Sequence, residues 1–485
     1  MSYLIGIELG TTRIKTGIFD LSGNLITEEV KSYPLFFERC NGKAESDPND
    51  WWNAVKSTLQ STLSKLPNKN IKAITVGSHG PSLVALDKNF VPVAPSILWM
   101  DKRAVMEADL ISTKLAHKSN DLTWLVPRAL WLKNNHPNIF SKIHYLVQPL
   151  DYINAKLTGE ITATLASDFI KPWDDDIIAA SGLEKSLFPS FTKMGEPVGH
   201  ITKQASEETG LPQNTPVIAG TGGADFVEVY ISSAILKKGI VCDRGGTSQG
   251  VNLCWDKQLN DTRLYRAPHP LIPELYHVSG LMATSGKSLQ WYKELYYGKE
   301  TPYEKFFEDA AKSPAGAKKL LFLPYLTGER TPWWDSKARG VFFGLSLEHE
   351  EKDIVRAILE GVGFGVCHII NLFKQQGAFP TEIRACGGQA KSPLWNQIKA
   401  DITGLPVKTT KIVDSATLGL AIIAGKGTGL YDDIVDTANS LVRIDKVYEP
   451  NQKNHRLYSQ MQEIYEDLYP ALKDNFKRLA QIETE

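Results

Sequence analysis

The sequence predicts an α/β protein built of two similar lobes, and three observations predict it. The chain has 485 residues, longer than one hydrophobic core ordinarily organises, so two or three domains are expected. Short apolar runs at 3–9, 71–77, 216–219 and 239–242 lead repeatedly into glycine-rich turns, and amphipathic helical stretches lie between them. The third observation is an internal echo. GIVCDRGGTSQG at 239–250 repeats the plan of GIELGTT at 6–12, a strand with an acidic residue near its end running into a Gly-Thr-(Thr/Ser) turn. That repetition suggests two related lobes with a nucleotide phosphate tail between the two turns. The boundary is expected after a helix at 225–238, giving lobes of 1–238 and 239–485.

Composition narrows the class of function. Hydrophobic residues make up 42% and charged residues 22%, the balance of a soluble globular enzyme. A formal net charge of −1 with no long basic run argues against nucleic acid as a partner. The start MSYLIGIELGTT has no basic flank followed by a long apolar stretch, so no signal peptide is expected. No run reaches the roughly 18 uncharged apolar residues of a membrane span. Cys40, Cys242, Cys254, Cys367 and Cys386 are dispersed and form no CxxC pair. They fit a reducing cytoplasm better than a disulfide framework or a zinc site.

In chain order, 3–9 and 16–19 predict strands joined by Gly10, Thr11 and Thr12, and Ser22-Gly23-Asn24 turns the chain into a third strand at 25–33. This meander has neither the GxGxxG of a dinucleotide domain nor the GxxxxGK[ST] phosphate loop. Phosphates bound here would bind at a hairpin, on the amides and hydroxyls of Gly10–Thr12. Glu8 at the strand end suits a metal, directly or through water, or else simply faces solvent. Asp47-Pro48 starts a helix as N-cap and first helical residue, with Trp52, Val55, Leu59 and Leu63 on one face. Strand 71–77 leads to Ser78-His79-Gly80-Pro81, where His79 is either a ligand contact or a surface histidine. Trp99, Asp101 and Arg103 cluster at the start of a predicted helix. A carboxylate near an aromatic platform suits polyol hydroxyls, and acidic charge also suits a helix N-terminus. From Trp124 to Gly159 the pattern is helical and aromatic-rich, as expected of packing.

The second half begins at two glycine turns. The first, at 220–224, presents Asp225, and the second presents Gly246, Thr247 and Ser248 after Asp243. Together they suit a base and a phosphate held near each other, since glycine turns allow close backbone approach, or are two ordinary tight turns of an α/β protein. Residues 321–344, dense in glycine, proline, aromatics and charge, predict a long ordered loop ending in a short strand. A helix at 351–372, a strand at 382–385, a turn at 386–390 and a helix from Ser392 follow. The turn, with Gly387 and Gly388, leaves room for a purine or ribose, or is a plain strand–helix connection. Residues 415–425 predict an alanine- and glycine-rich helix that packs closely.

Taken together, these stretches resemble the FGGY carbohydrate kinases, members of the sugar kinase, heat-shock and actin ATPase superfamily. The resemblance covers essentially the whole chain. It rests on GIELGTTRIKTGIFD near residue 6, DPNDWW at 47, LWMDKRA at 98 and LDYINAKLTGE at 150. It continues in GGAD at 222, GGTSQG at 245, FLPYLTGERTPWWDSKARGVFFGL at 322 and GGQAKSPLWNQIKADITGLPV at 387. The wording of the 322–345 stretch is most similar to xylulokinases. The resemblance implies two ribonuclease-H-like α/β lobes with ATP and sugar bound in a cleft between them. It implies Asp225 as the catalytic base, and Gly10, Thr11 and Thr12 as the first phosphate loop. Gly246, Thr247 and Ser248 match the second phosphate loop, and Gly387 and Gly388 the adenosine loop. His79, Asp101 and Arg103 fall where members hold the sugar, with Trp99 shaping that pocket. Glu8 and Asp243 would contact Mg2+, and lobe closure would exclude water. A homodimer is the assembly some members adopt.

Four places depart from the family pattern. Glu8 stands where aspartate is usual. Gly77-Ser78-His79-Gly80 replaces the Gln-Met-His-Gly of xylulokinases. GTGGAD is longer than the usual GGGD, and Phe226, Val227 and Glu228 follow where small residues are common. Gly-Gly-Thr-Ser-Gln replaces Gly-Thr-Ser-Gly. The activity implied is transfer of the ATP γ-phosphoryl to a primary hydroxyl of a ketose, D-xylulose first. The alternatives are another ketose such as ribulose, a tetritol, gluconate or glycerol. Beyond these stand a chaperone- or actin-like ATPase without sugar kinase activity and a degenerate member that turns over poorly.

Overall fold

The structure is a computed structural model that describes residues 1–38, 40–115, 125–413 and 416–482. Trp124 and Ser415, where the sequence predicts two helices to begin, lie outside these residues. The chain divides into two units, Met1–Ala234 with Ala416–Leu441, and Ile235–Ser415 with Val442–Glu485.

The first unit is built on a six-stranded sheet. Its order is Pro197–His200, Pro216–Ile218, Ile71–Ser78, Tyr3–Leu9, Arg13–Asp20, Leu25–Ser32. Tyr3–Leu9 and Arg13–Asp20 form the expected hairpin, antiparallel with Glu8 opposite Lys15, and Ile71–Ser78 lies parallel on the other side. Asp47 caps helix Pro48–Ser64 by accepting from Asn49 N, so the predicted N-cap and first-turn proline both stand. That helix buries Trp51, Val55 and Leu59 against Ile5, Ile7, Ile14 and Ile18 of the sheet. A separate apolar cluster around Leu83, Leu125, Leu146 and Trp173 supports the elements inserted between Ile71–Ser78 and Pro197–His200.

The second unit repeats the plan with a seven-stranded sheet. From one edge it runs Ile444–Tyr448, Val407–Thr410, Glu382–Cys386, Ile240–Gly245, Gln249–Trp255, Tyr276–Met282, Tyr265–Pro268. Ile240–Gly245 and Gln249–Trp255 are an antiparallel hairpin, and Glu382–Cys386 lies parallel beside the first of them. The short echo in sequence is thus an echo in topology. In both units an antiparallel edge strand, two parallel strands and a hairpin succeed one another in the same order. Helices Glu351–Gln375 and Pro393–Thr403 cover this sheet, with Ile358, Phe364, Trp395 and Ile402 in its core. The 321–344 stretch opens and closes with the paired strands Leu321–Leu323 and Val341–Phe343.

Two local readings change. The helix expected over 225–238 is Asp225–Ser232, because Ala234 takes a left-handed φ of 50° and stops it. The helix Ala416–Gly427 belongs to the first unit, although it follows most of the second in sequence. Its residues from Ala416 to Gly425 are all buried, so it has no face to leave in water. It packs on Tyr3–Leu9, Ile71–Ser78 and Asp225–Ser232. Among the described residues no helix is long and apolar enough to cross a membrane, and none of the five cysteines forms a disulfide.

Candidate active site

In the first unit the candidate residues gather at the ends of the strands. Asp225 is the first residue of helix Asp225–Ser232 and follows a glycine turn. His79 follows strand Ile71–Ser78, and its backbone N–H is tied to Leu9 O at 2.8 Å. Its ring is buried, edge-on to Trp51 at 5.7 Å. Neither ring nitrogen has a protein hydrogen-bond partner, and the Ser78 hydroxyl beside it has none either. Burial lowers the His79 pKa to about 4, and the charge of Asp225 pulls it the other way. The structure thus brings His79 within electrostatic reach of Asp225. It also keeps the imidazole neutral near pH 7, with one donor and one acceptor to offer.

The first phosphate-loop candidate is braced from two sides. Trp99 Nε1 donates to Thr11 Oγ1 at 3.1 Å, and the Tyr33 hydroxyl donates to Gly10 O. Gly10 N closes the turn on Arg13 O at 2.9 Å, and Thr12 is left exposed. Glu8 lies 3.9 Å from Lys15, with about a quarter (27%) of its side chain exposed. Trp99 is in turn held by a residue from the stretch expected to serve packing alone. Arg128, fully buried, donates to Trp99 O at 2.6 Å and to Pro81 O at 2.9 Å, joining the Trp99 turn to the His79 turn. Its position inside an apolar helical run, RALWL, was the available signal, since a buried arginine needs carbonyl or carboxylate partners.

Asp101 and Arg103 are close together but engaged with protein. They precede the helix Val105–Lys114 rather than begin it. Asp101 is buried and accepts from Ala44 N at 2.8 Å and from Arg103 Nη2 at 2.7 Å. Arg103 also bonds Glu45 at 2.7 Å and lies over the Trp131 ring at 4.2 Å. The arrangement fastens the 43–46 strand to the Trp99 turn.

In the second unit, Gly246, Thr247 and Ser248 form the exposed tip of the hairpin. Their carbonyls turn inward. Gly246 O accepts from Gly286 N at 2.9 Å, and Thr247 O accepts from Ser285 N at 3.0 Å and Lys287 N at 3.2 Å. Beneath them is a closed ring of five buried side chains. Lys399 Nζ donates to Asp243 Oδ2 at 2.5 Å and to Gln389 Oε1 at 3.2 Å. Gln389 Nε2 donates to Ser285 Oγ at 2.7 Å, and Ser285 Oγ to Gln249 Oε1 at 2.6 Å. Gln249 Nε2 returns to Asp243 Oδ1. The ring ties the 246–248 tip to Gly387 and Gly388, because Gln389 follows them and also donates to Gly246 O at 3.2 Å. Gly388 is exposed, with nothing within 4 Å of where a β-carbon would stand, so a flat group can approach there. The sequence singles out Asp243, as a metal contact, and both glycine loops, but gives no role to Gln249, Ser285, Gln389 or Lys399.

Among the described residues no cluster of three or more His, Cys, Asp or Glu side chains is placed to hold a metal. Asp243 has both carboxylate oxygens engaged, by Lys399 and Gln249. Glu8 is partly exposed and lies two residues before the Gly10–Thr12 turn. A cleft of about 670 Å³ lined by Trp173, Phe188 and Phe191 contains none of these residues.

Comparison with known proteins bears on the same stretches. The N-terminal domain of the FGGY family of carbohydrate kinases matches residues 3–228, and its C-terminal domain matches 244–427. The xylulose kinase of Staphylococcus epidermidis is 30% identical over 97% of this chain and 97% of its own length. Among solved structures, ligand-bound xylulose kinase from Lactobacillus acidophilus superposes with a TM-score of 0.85 at 27% identity, covering 99% of this chain and all (100%) of that one. Gluconate kinase from the same organism gives the same TM-score, 0.85, and 27% identity, covering 99% of each chain.

Proposed function

This chain belongs to the FGGY family of carbohydrate kinases and is an ATP-dependent sugar kinase, and from that premise we propose that its acceptor is the primary hydroxyl of a ketose, D-xylulose first. The observation that carries the reading is His79. A buried, neutral histidine within reach of Asp225, with both ring nitrogens left without a protein hydrogen-bond partner, suits a neutral polyol that both gives and takes hydrogen bonds. The full-length likeness to xylulose kinases supports it. Gluconate is the second reading, because the gluconate kinase structure is as similar in fold.

In the proposed reaction Asp225 orients the acceptor hydroxyl and takes its proton as the oxygen attacks the γ-phosphorus in line. The amides and hydroxyls of Thr11, Thr12, Thr247 and Ser248 hold phosphoryl oxygens and stabilise charge on the transferring group, while Gly10 N and Gly246 N close their own turns on Arg13 O and Ser248 O. Gly387 and Gly388 admit the adenosine. Magnesium carried by the ATP phosphates would shield their charge, with Glu8 as the protein carboxylate in reach of it. Asp243, paired with Lys399, acts instead by fixing the second phosphate loop.

Measuring ADP release against D-xylulose, D-ribulose, erythritol, gluconate and glycerol tests the substrate. The highest kcat/KM is expected for D-xylulose, and a higher value for gluconate would replace the first reading by the second. Asp225→Ala is expected to lower kcat by about 10²- to 10⁴-fold while ATP still binds.

A further inference from the structure

The loop that carries Asp225 is closed by hydrogen bonds from residues that take no part in the reaction proposed above. Their role rests on Asp225 being the base. Thr221 Oγ1 donates to Glu228 Oε1 at 2.6 Å, so a bond spans the loop from one side of Asp225 to the other. Gln148 Nε2 donates to Gly222 O at 2.7 Å and fixes the same loop to the start of helix Pro149–Thr158. Between them Gly222 and Gly223 take φ values of 62° and 78°, a left-handed path that other residues resist.

Glu228 is fully buried, three residues beyond Asp225 on the same helix and so its neighbour on the same side. Its carboxylate occupies the space that a side chain at 77 would need. A β-carbon on Gly77 would stand 2.5 Å from Glu228 Cδ and 2.9 Å from Oε2. A β-carbon on Gly223 would likewise stand 3.0 Å from Gln148 Cδ. Gly77 and Glu228, each in a stretch that departs from the family pattern, are therefore one packing arrangement. A buried carboxylate costs solvation that an apolar side chain would not. Here its hydroxyl partner closes the base loop.

We propose that Glu228 is a positioning residue for Asp225. Through Thr221 it clasps the 221–228 loop, Gly77 provides the room, and Gln148 is the second anchor. The clasp sets the direction in which the Asp225 carboxylate meets the acceptor hydroxyl, and displacement of that carboxylate by about an ångström is worth roughly 100-fold in rate.

The test is a set of variants of the full chain assayed for sugar phosphorylation and thermal unfolding. Glu228→Ala and Thr221→Val are expected to lower kcat roughly 100-fold with the KM for ATP within about twofold of the parent. Glu228→Gln, whose amide oxygen still accepts from Thr221, is expected to keep kcat within about threefold. Gly77→Ala displaces the carboxylate and is expected to match Glu228→Ala. The double variant G77A/E228A is expected to be no slower than E228A alone, the non-additivity of residues in contact. Wild-type kcat in both E228A and T221V overturns the proposal, as does full additivity of G77A and E228A. So does a kcat loss in Glu228→Gln equal to that in Glu228→Ala. Should E228A fail to fold, T221V carries the test, since it removes the same hydrogen bond at nearly constant shape. Asp225→Ala assayed alongside separates the two levels. Turnover surviving in D225A removes the base reading, whereas an inactive D225A beside a fully active E228A and T221V removes the clasp alone.

Discussion

The two units end their first hairpin in the same Gly-Thr turn, yet treat the buried polar groups beside it in opposite ways. In the second unit every side chain of the Asp243–Lys399–Gln389–Ser285–Gln249 ring meets another. In the first, His79 and Ser78 are buried with side-chain polar atoms that meet no protein partner. Unmet buried polar groups are costly unless something else satisfies them. The difference separates groups that hold the protein from groups that the proposed reading assigns to a ligand. The ring makes a rigid platform for the 246–248 tip, suited to phosphates that every turnover presents alike. The unpartnered imidazole and hydroxyl are the groups that the sugar of the proposed reaction would complete.

The largest effect that would break this comparison lies in the ring. Lys399→Met leaves the Asp243 charge buried and unpaired, and is expected to destabilise the fold by about 3–5 kcal/mol. Denaturant unfolding checks this, and K399M/D243N should recover part of the loss because the orphaned charge is gone. A loss under 1 kcal/mol in K399M, on the order of an exposed ion pair, would mean that the ring is not the platform. Next in size, His79→Gln is expected to raise the sugar KM about tenfold, the worth of one hydrogen bond at the upper end of its usual range. Its thermal midpoint should stay near that of the parent, since His79 makes no side-chain hydrogen bond to protein. A lowered midpoint with unchanged KM would place His79 among the structural groups instead.

How far the sequence disclosed this is clearest from particular residues. The hairpins, the Asp47 cap and the glycine turns were legible because they are local, each written within a few consecutive residues. The ring was not. Residues 243, 249, 285, 389 and 399 meet only because parallel pairing sets Glu382–Cys386 beside Ile240–Gly245. Lys399, next to Ile398 on a helix face expected to be buried, was a visible anomaly, as was Glu228 in the apolar run DFVEVYIS. Asp101 and Arg103 show the converse. Their residue types suit sugar hydroxyls, and the fold also places Ala44 N and Glu45 against them, a proximity not written in the local sequence. The place of Ala416–Gly427 in the first unit was hidden for a similar reason: its uniformly apolar sequence predicts deep burial without saying in which core.

The smallest effect concerns pH and sharpens the contrast between groups that open and groups that stay closed. Burial raises the Glu329 pKa to about 8, although Ala283 N and Arg330 N donate to it and favour its charge. A carboxyl raised in the folded state contributes stability that is complete below its unfolded value near 4.5 and is lost as pH rises towards 8. Burial lowers His79 to about 4, so its contribution is complete above about 6.5 and is lost as pH falls towards 4. Glu329→Gln is expected to remove a decline of roughly 1 kcal/mol per pH unit between pH 5 and 8, read by unfolding at each pH. An unchanged slope would show that Glu329 is ionised throughout.

The proposed reaction depends most directly on Asp225, and one measurement addresses it: ADP release by the parent and by Asp225→Ala at saturating ATP, with and without D-xylulose, alongside ATP binding to each. The expected result is sugar-stimulated ADP release and a phosphorylated ketose from the parent. From the variant, stimulation should be absent at undiminished ATP affinity. ADP release that ignores the sugar in the parent, or sugar phosphorylation at the parent rate in the variant, would contradict it.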